Sequence, residues 1–222
     1  MTTSGSIDFD LSAALIVQEA LEMCGIGQEG EDITADMEAR GLRSLNLILK
    51  AWQADPRLWL KTEGTETMVQ GQSAYTLTPR PLRILSVRRQ IGDAEVPMSE
   101  MSRDDYFSLP NKTSQGLPVQ WYYDPQQSTG VLYVWQNPNA TAMTLNYTYV
   151  RSIEDIDSNA NTADVPAEWL EALTLSLAAK LAMKQVSDLQ RRLELKQDAA
   201  IAVENVRKLD RDTASVFLQP CA

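Results

Sequence analysis

The chain has 222 residues, 44% of them hydrophobic, enough for one large domain or a domain with a sizeable insertion around a real core. It contains no histidine, which excludes serine–histidine and cysteine–histidine nucleophile systems and most zinc sites, because these need an imidazole as base or ligand. The formal charge of −10 divides into −7 over residues 1–66, +1 over 67–151 and −4 over 152–222, a poor footprint for tight nucleic-acid binding, which needs clustered Lys and Arg.

Residues 9–24 have helical spacing, with Ala13, Val17, Ala20, Leu21 and Cys24 on one stripe. After a glycine turn, Asp32 to Asp55 reads as a second helix carrying Met37, Leu45, Ile48, Leu49 and Trp52, and Asp55-Pro56 ends it. From Met68 to Arg151 the period changes. Ser73–Thr78, Leu82–Gln90, Pro118–Tyr123, Val131–Gln136 and Met143–Arg151 are rich in β-branched and aromatic residues, with Gly, Pro, Asn and Ser between them. A short helical turn capped by Ser102 interrupts the strands. Helix returns at Pro166 with Trp169, Leu170, Leu173, Leu177 and Leu181 on one face, and again from Asp188 to Asp210 with Leu189, Leu193, Ala200, Val203 and Val206.

The expected class is α+β. Residues 1–66 and 152–212 form a helical body, 67–151 an inserted antiparallel β-rich domain, and 213–222 an extended C-terminal tail. No run of eighteen apolar residues occurs, and the N-terminal MTTSGSIDFD has no basic segment followed by an apolar one. Neither a membrane span nor a secretory signal is expected. Cys24 and Cys221 stand in no metal or redox spacing and read as free thiols.

Three stretches imitate functional motifs. Gly25-Ile26-Gly27-Gln28-Glu29-Gly30 fits a dinucleotide fingerprint in its letters, but it follows a helix rather than a strand, and Glu29, Glu31 and Asp32 repel a pyrophosphate. It reads as a helix–helix turn, with Gly25 ending the first helix in the left-handed region and Asp32 or Thr34 capping the second. Asp155-Ile156-Asp157-Ser158-Asn159 starts like a calcium loop and then fails, with Ala160 in the glycine position and Pro166 in place of the final glutamate. A solvated acidic linker is the better reading. Trp121-Tyr122-Tyr123 and Tyr133-Val134-Trp135 have the makings of a platform for sugars or bases, but alternation sends about half of such rings inward. No catalytic, cofactor-binding or metal-binding residue is singled out; a glycosidase-like carboxylate pair is not marked by any activating partner.

The order of these signals resembles the head-to-tail adaptors of short-tailed bacteriophages, the group that includes tail tubular protein A and the tail accessory factor. The residues concerned are Gly25-Ile26-Gly27, Glu29-Gly30-Glu31-Asp32, Leu45-Asn46 and Trp52, then Tyr75-Thr76-Leu77 and Gly116-Leu117-Pro118 leading into Trp121-Tyr122-Tyr123-Asp124. Leu132-Tyr133-Val134-Trp135, Leu145-Asn146-Tyr147-Thr148-Tyr149 and Val165-Pro166-Ala167-Glu168-Trp169 complete the series. Where such adaptors place a second proline, this chain has Gln136-Asn137-Pro138.

The resemblance implies a non-enzymatic structural connector at the virion's head–tail junction, assembled in the host cytoplasm. It would form a ring, expected to be a dodecamer, with the portal protein above and the tail nozzle, and in some cases tail fibres, as partners. DNA would pass through without specific binding. Twelve copies at −10 each carry a formal −120, which repels a duplex bearing one charge per ~1.7 Å. The rival readings are a cell-wall-degrading tail enzyme with a carboxylate pair and a carbohydrate-binding module. In the tail, Val216, Phe217 and Leu218 form an apolar run before Pro220, and the resemblance favours their insertion between portal subunits over folding back on the chain's own helices.

Overall fold

The computed structural model describes residues 5–26, 33–54 and 58–210, with only the backbone of Leu58. The chain divides into two compact units, Met1–Trp59 with Ile153–Ala222, and Leu60–Ser152. Among the described residues the α-helices are α1 (Ala13–Met23), α2 (Ala35–Trp52), α3 (Arg103–Ser108), α4 (Leu170–Gln185) and α5 (Leu189–Leu209). The strands are β1 (Lys61–Thr67), β2 (Ala74–Leu77), β3 (Arg83–Ile91), β4 (Ala94–Glu100), β5 (Gln115–Gly116), β6 (Gln120–Pro125), β7 (Gly130–Trp135), β8 (Asn137–Pro138) and β9 (Thr144–Val150). The fold is α+β.

Each helix other than α4 starts at a side chain that accepts one of its otherwise unpaired first-turn N–H groups. Ser12 accepts from Leu15, Thr34 from Met37, Ser102 from Asp105 and Asp188 from Gln190. Gly25, at φ 71°, follows α1 in the left-handed conformation that an L side chain avoids. Of the two caps read for α2, Thr34 serves; Asp32 and the rest of the glycine turn, Gly27 and Gly30 included, lie outside the described residues.

In the helical unit α4 is the central element, packed against α1, α2 and α5. Its leucine stripe (Leu170, Leu173, Leu177, Leu181) is buried, and so are Ala172, Thr174, Ala178 and Ala182 on its other sides. Small residues there let neighbouring helices approach, so α4 is covered nearly all round. Helix α1 brings Ile16, Val17 and Leu21 to this core and α2 brings Leu45, Ile48 and Leu49. Val17 lies so near α2 that a Cβ on Gly41 would sit 2.5 Å from its Cγ1; only glycine fits. Trp169 meets Trp52 edge-on, ring centroids 5.2 Å apart, and Trp59 lies 6.4 Å away.

Helix α5 corrects the sequence reading. Its buried residues are Leu195 and Ala199, while Leu189 and Leu193, expected on the inner stripe, are 60% and 54% exposed. The helix carries apolar residues at helical spacing on two faces, and periodicity alone does not rank the faces.

The β-rich unit holds a seven-stranded sheet in the order β1-β9-β3-β4-β6-β7-β2, with β5 and β8 forming a separate pair. Neither sheet is purely antiparallel, contrary to the sequence expectation. Strand β4 pairs with β6 in parallel through Ser99↔Gln120 and Glu100↔Trp121, and β5 pairs with β8 in parallel. The chain between β4 and β6 passes through α3 and β5, a crossover long enough for a parallel pairing. One core takes residues from both ends of the sheet, among them Leu77, Trp121, Leu132 and Val134 together with Ile84, Val87, Leu145 and Tyr147. Tyr147 lies across Gly64, its ladder partner on β1, where any Cβ would collide with the ring.

Candidate functional site

The distinctive features of the described residues are surfaces and the contacts that fix them. The first is the segment 153–165. Ile153 and Ile156 are buried at 1% and 4% exposure, and Asn46 of α2 holds the second of them by both backbone groups. Its Nδ2 donates to the Ile156 carbonyl and its Oδ1 accepts from the Ile156 N–H, each at 2.9 Å. One turn further on, Lys50 donates to the Ile153 carbonyl and pairs with Asp155, both at 2.6 Å. Asn159 donates to Glu38 at 2.6 Å, while the Asn159 and Asn161 carbonyls accept from the first N–H groups of α1. The solvated linker expected from the sequence is therefore a strap fixed to α2 and to the start of α1. Glu154, Asp155 and Asp157 are exposed, but its isoleucines belong to the core. The calcium-loop resemblance ends here too, since the Asp155 carboxylate is engaged by the Lys50 ammonium.

In the β-rich unit a polar ladder crosses four strands on the solvent side. Arg88 of β3 donates to Glu63 of β1 at 2.9 Å and lies 3.2 Å from Glu95 of β4. Asn146 of β9 donates to Gln90 and Glu95, both at 2.9 Å, and accepts from Thr65. The hydrogen bond from Arg88, reinforced by its charge, holds the Glu63 carboxyl below its usual range. Cross-strand pairs of this kind fix register.

The aromatic strands are mostly packing. Trp121 is buried and donates to the Met98 carbonyl at 3.2 Å. Tyr123 donates to the Pro81 carbonyl at 2.5 Å, and burial pushes its phenol up to about 12. Tyr147 is likewise pushed up to about 12, first by burial and then by the charge of Glu66. On the opposite face Tyr122 and Tyr133 stack, centroids 5.9 Å apart, and α3 covers them with Tyr106. Phe107, 53% exposed, stays open beside Arg103 and Lys112.

The helical unit also carries an apolar opening. A groove of about 590 Å³ runs between Phe9, Leu11, α1 and the start of α4, with Glu19, Glu22 and Glu171 on its rim. Outside it, Leu47 and Met183 are 61% and 64% exposed.

Among the described residues no group of three or more His, Cys, Asp or Glu is placed to hold a metal ion, and no helix is long and apolar enough to cross a membrane. Cys24 is buried, which raises its thiol pKa. Val216, Phe217 and Leu218, expected to bind the portal, lie outside the described residues. The sequence reading missed the strap and the ladder. The amide of Asn46 beside the apolar stripe of α2 was the available signal for the strap.

Comparison with known proteins places these surfaces in context. No curated protein matches the sequence. Among solved structures, the neck of an empty GTA particle computed with C6 symmetry is similar over 81% of this chain and 86% of its own, at 13% identity and a TM-score of 0.28, too distant in shape to bear on function. The family described as SU10 adaptor protein matches residues 13–218, from the first residue of α1 to beyond the end of α5. With that match covering most of both units, the chain belongs to the SU10 adaptor protein family, and is a phage head–tail adaptor.

Proposed function

We propose that this chain is a non-enzymatic ring subunit joining the portal to the tail nozzle of a short-tailed phage, with DNA leaving through the ring. Family membership over residues 13–218 is the observation that carries this reading. The surface of the helical unit supports it: apolar side chains as exposed as Leu47, Met183 and Leu189 gain stability only when something covers them. The charge supports the passage of DNA, because −10 per subunit, repeated around a ring, disfavours a duplex that must slide without sticking. A dodecamer is the expected ring; the helical unit, whose first segment ends at Trp59 rather than at the expected residue 66, supplies one body for ring contacts, and the β-rich unit one for neighbours along the axis.

The tail 213–222 is part of the proposal. Val216, Phe217 and Leu218 insert between portal subunits, where burial contributes ~1.5–3 kcal/mol for each side chain before ordering costs. The test is light scattering of the purified protein with and without portal, beside a truncation after Asp212. The expected result is a portal-bound ring for the full chain, with the truncated protein equally stable to heat but no longer co-sedimenting with portal. Truncated protein that binds portal normally overturns the tail assignment. Full-length protein that never binds portal overturns the connector reading.

A further inference from the structure

The outward face of α5 has an order that its inner face does not explain. Leu189, Leu193, Lys196, Ala200 and Val203 follow one another at spacings of four, three, four and three residues, the seam of a coiled coil. The first four are exposed, and the seam carries no carboxylate. The buried contact of α5 lies elsewhere, through Leu195 and Ala199. This helix therefore has two usable faces, and only one of them is covered among the described residues.

A surface of opposite character exists on the same molecule. Helix α1 has no Lys or Arg, and its outward side shows Leu15, Glu19 and Glu22, also at helical spacing. Leu15 and Phe9, 50% and 68% exposed, open into the groove whose rim carries Glu19, Glu22 and Glu171. The first 39 residues hold nine acids and no base. Length matches as well: α1 spans 11 residues, about the run from Leu189 to Ala200.

We propose that the α5 seam of one copy docks in the α1 groove of a second copy, with Leu189 and Leu193 against Leu15 and Phe9, and Lys196 facing the glutamate rim. Charge complementarity selects a second copy of this chain, since one surface supplies the cation and apolar residues and the other the carboxylates and the groove. The two surfaces differ, so the contact is heterologous and repeats from copy to copy, closing into a ring where the rotation permits. This inference rests on the ring reading above and names its subunit contact.

The test uses full-length protein in which Cys221 is replaced by Ala. Copies carrying Leu15→Cys are mixed with differently tagged copies carrying Leu193→Cys, and the mixture is oxidised. The expected product is a mixed cross-linked dimer at least tenfold above the yield of either variant alone. Leu193→Glu, with Leu193→Gln as a milder second variant, is expected to lower the assembled fraction at least tenfold in light scattering while leaving the thermal midpoint of the subunit unchanged. Wild-type rings that form while the mixture gives no excess cross-link overturn the contact and leave the ring reading intact. A wild-type chain that stays monomeric at every concentration, with portal present, overturns the ring reading and the contact with it. A large fall in the thermal midpoint of Leu193→Gln assigns the seam to the subunit's own packing and also overturns the proposal.

Discussion

Among the described residues of the β-rich unit the most exposed large apolar side chain is Phe107, at 53%, whereas in the helical unit Phe9, Leu47, Met183, Leu189 and Leu209 stand between 60% and 77%. The β-rich unit turns a ladder of Arg88, Glu63, Glu95 and Asn146 to solvent and gathers residues from both ends of its sheet into one core. The helical unit covers α4 almost completely and leaves large apolar side chains exposed among charged ones, Leu15 on α1 and Leu189 and Leu193 on α5. On the ring reading proposed above, the helical unit is the one that neighbours would complete.

The sharpest way to break this comparison is to cut equal leucines from covered and uncovered helices. Leu173, fully buried on α4, is expected to cost about 2–5 kcal/mol on replacement by Ala, through lost burial and the cavity left behind. Leu193→Ala, by contrast, is expected to leave subunit stability within about 0.5 kcal/mol. Urea denaturation of both variants decides, and equal losses would mean that α5 is covered in the isolated chain.

A smaller effect tests whether the strap belongs to the helical core. Asn46→Ala leaves the N–H and carbonyl of Ile156 without partners, an expected cost of about 1–3 kcal/mol. Faster hydrogen exchange at the Ile156 amide is expected to accompany it. Unchanged exchange would return residues 153–165 to the status of a plain linker.

The third prediction concerns alkali and the β-rich unit. Tyr123 and Tyr147 are held neutral by burial, their phenols pushed up to about 12 from an ordinary 10.0. Between these values an unfolded chain has released the two protons and the folded chain has not, so the unfolded state binds fewer protons and stability falls as pH rises. The stabilisation is fully present below pH 10 and is lost progressively towards pH 12. Tyr147→Phe is expected to flatten this fall, measured as the urea midpoint at steps of pH. A fall of equal steepness in the variant would assign the alkaline sensitivity elsewhere.

The smallest effect is expected at the ladder. Glu63 is depressed by Arg88, so its contribution is present above the unfolded carboxyl pKa and fades as pH drops through the folded value. The carboxylate stands in open solvent, where such pairs are screened, and Glu63→Gln is expected to leave the thermal midpoint almost unchanged at neutral pH. A shift of several degrees would show that the ladder stabilises the sheet as well as fixing its register.

How far the sequence was legible follows from where each signal lies. Helices α1, α2 and α4 have one continuous apolar stripe and a recognisable start, and five strands alternate over enough residues to be read. Strand β1 was missed because Lys61-Thr62-Glu63-Gly64-Thr65-Glu66-Thr67 has no large apolar residue; it exists because β9 offers a seven-residue ladder. Strand β4 was hidden by Pro97, which commonly argues against a strand. The α5 stripe was misjudged because a single chain does not reveal which of two apolar faces its neighbours will claim. The strap escaped because its hold on α2 joins Asn46 to Ile156 across 110 positions, a pairing that no local period records.

The central place of α4 sets an order of events during synthesis. More than a hundred residues separate the end of α2 at Trp52 from the start of α4 at Leu170. At about 5–20 residues per second, the ribosome takes roughly 6–24 s to cover that interval. During it α1 and α2 wait for the helix they pack against, while the strands of the sheet from β1 to β9 are synthesised one after another. The portion encoded in the middle of the gene is thus able to finish first, and the portion encoded at both ends closes last. The nine acids ahead of Arg40 give the waiting N-terminal stretch a like charge, which favours its solubility until α4 arrives.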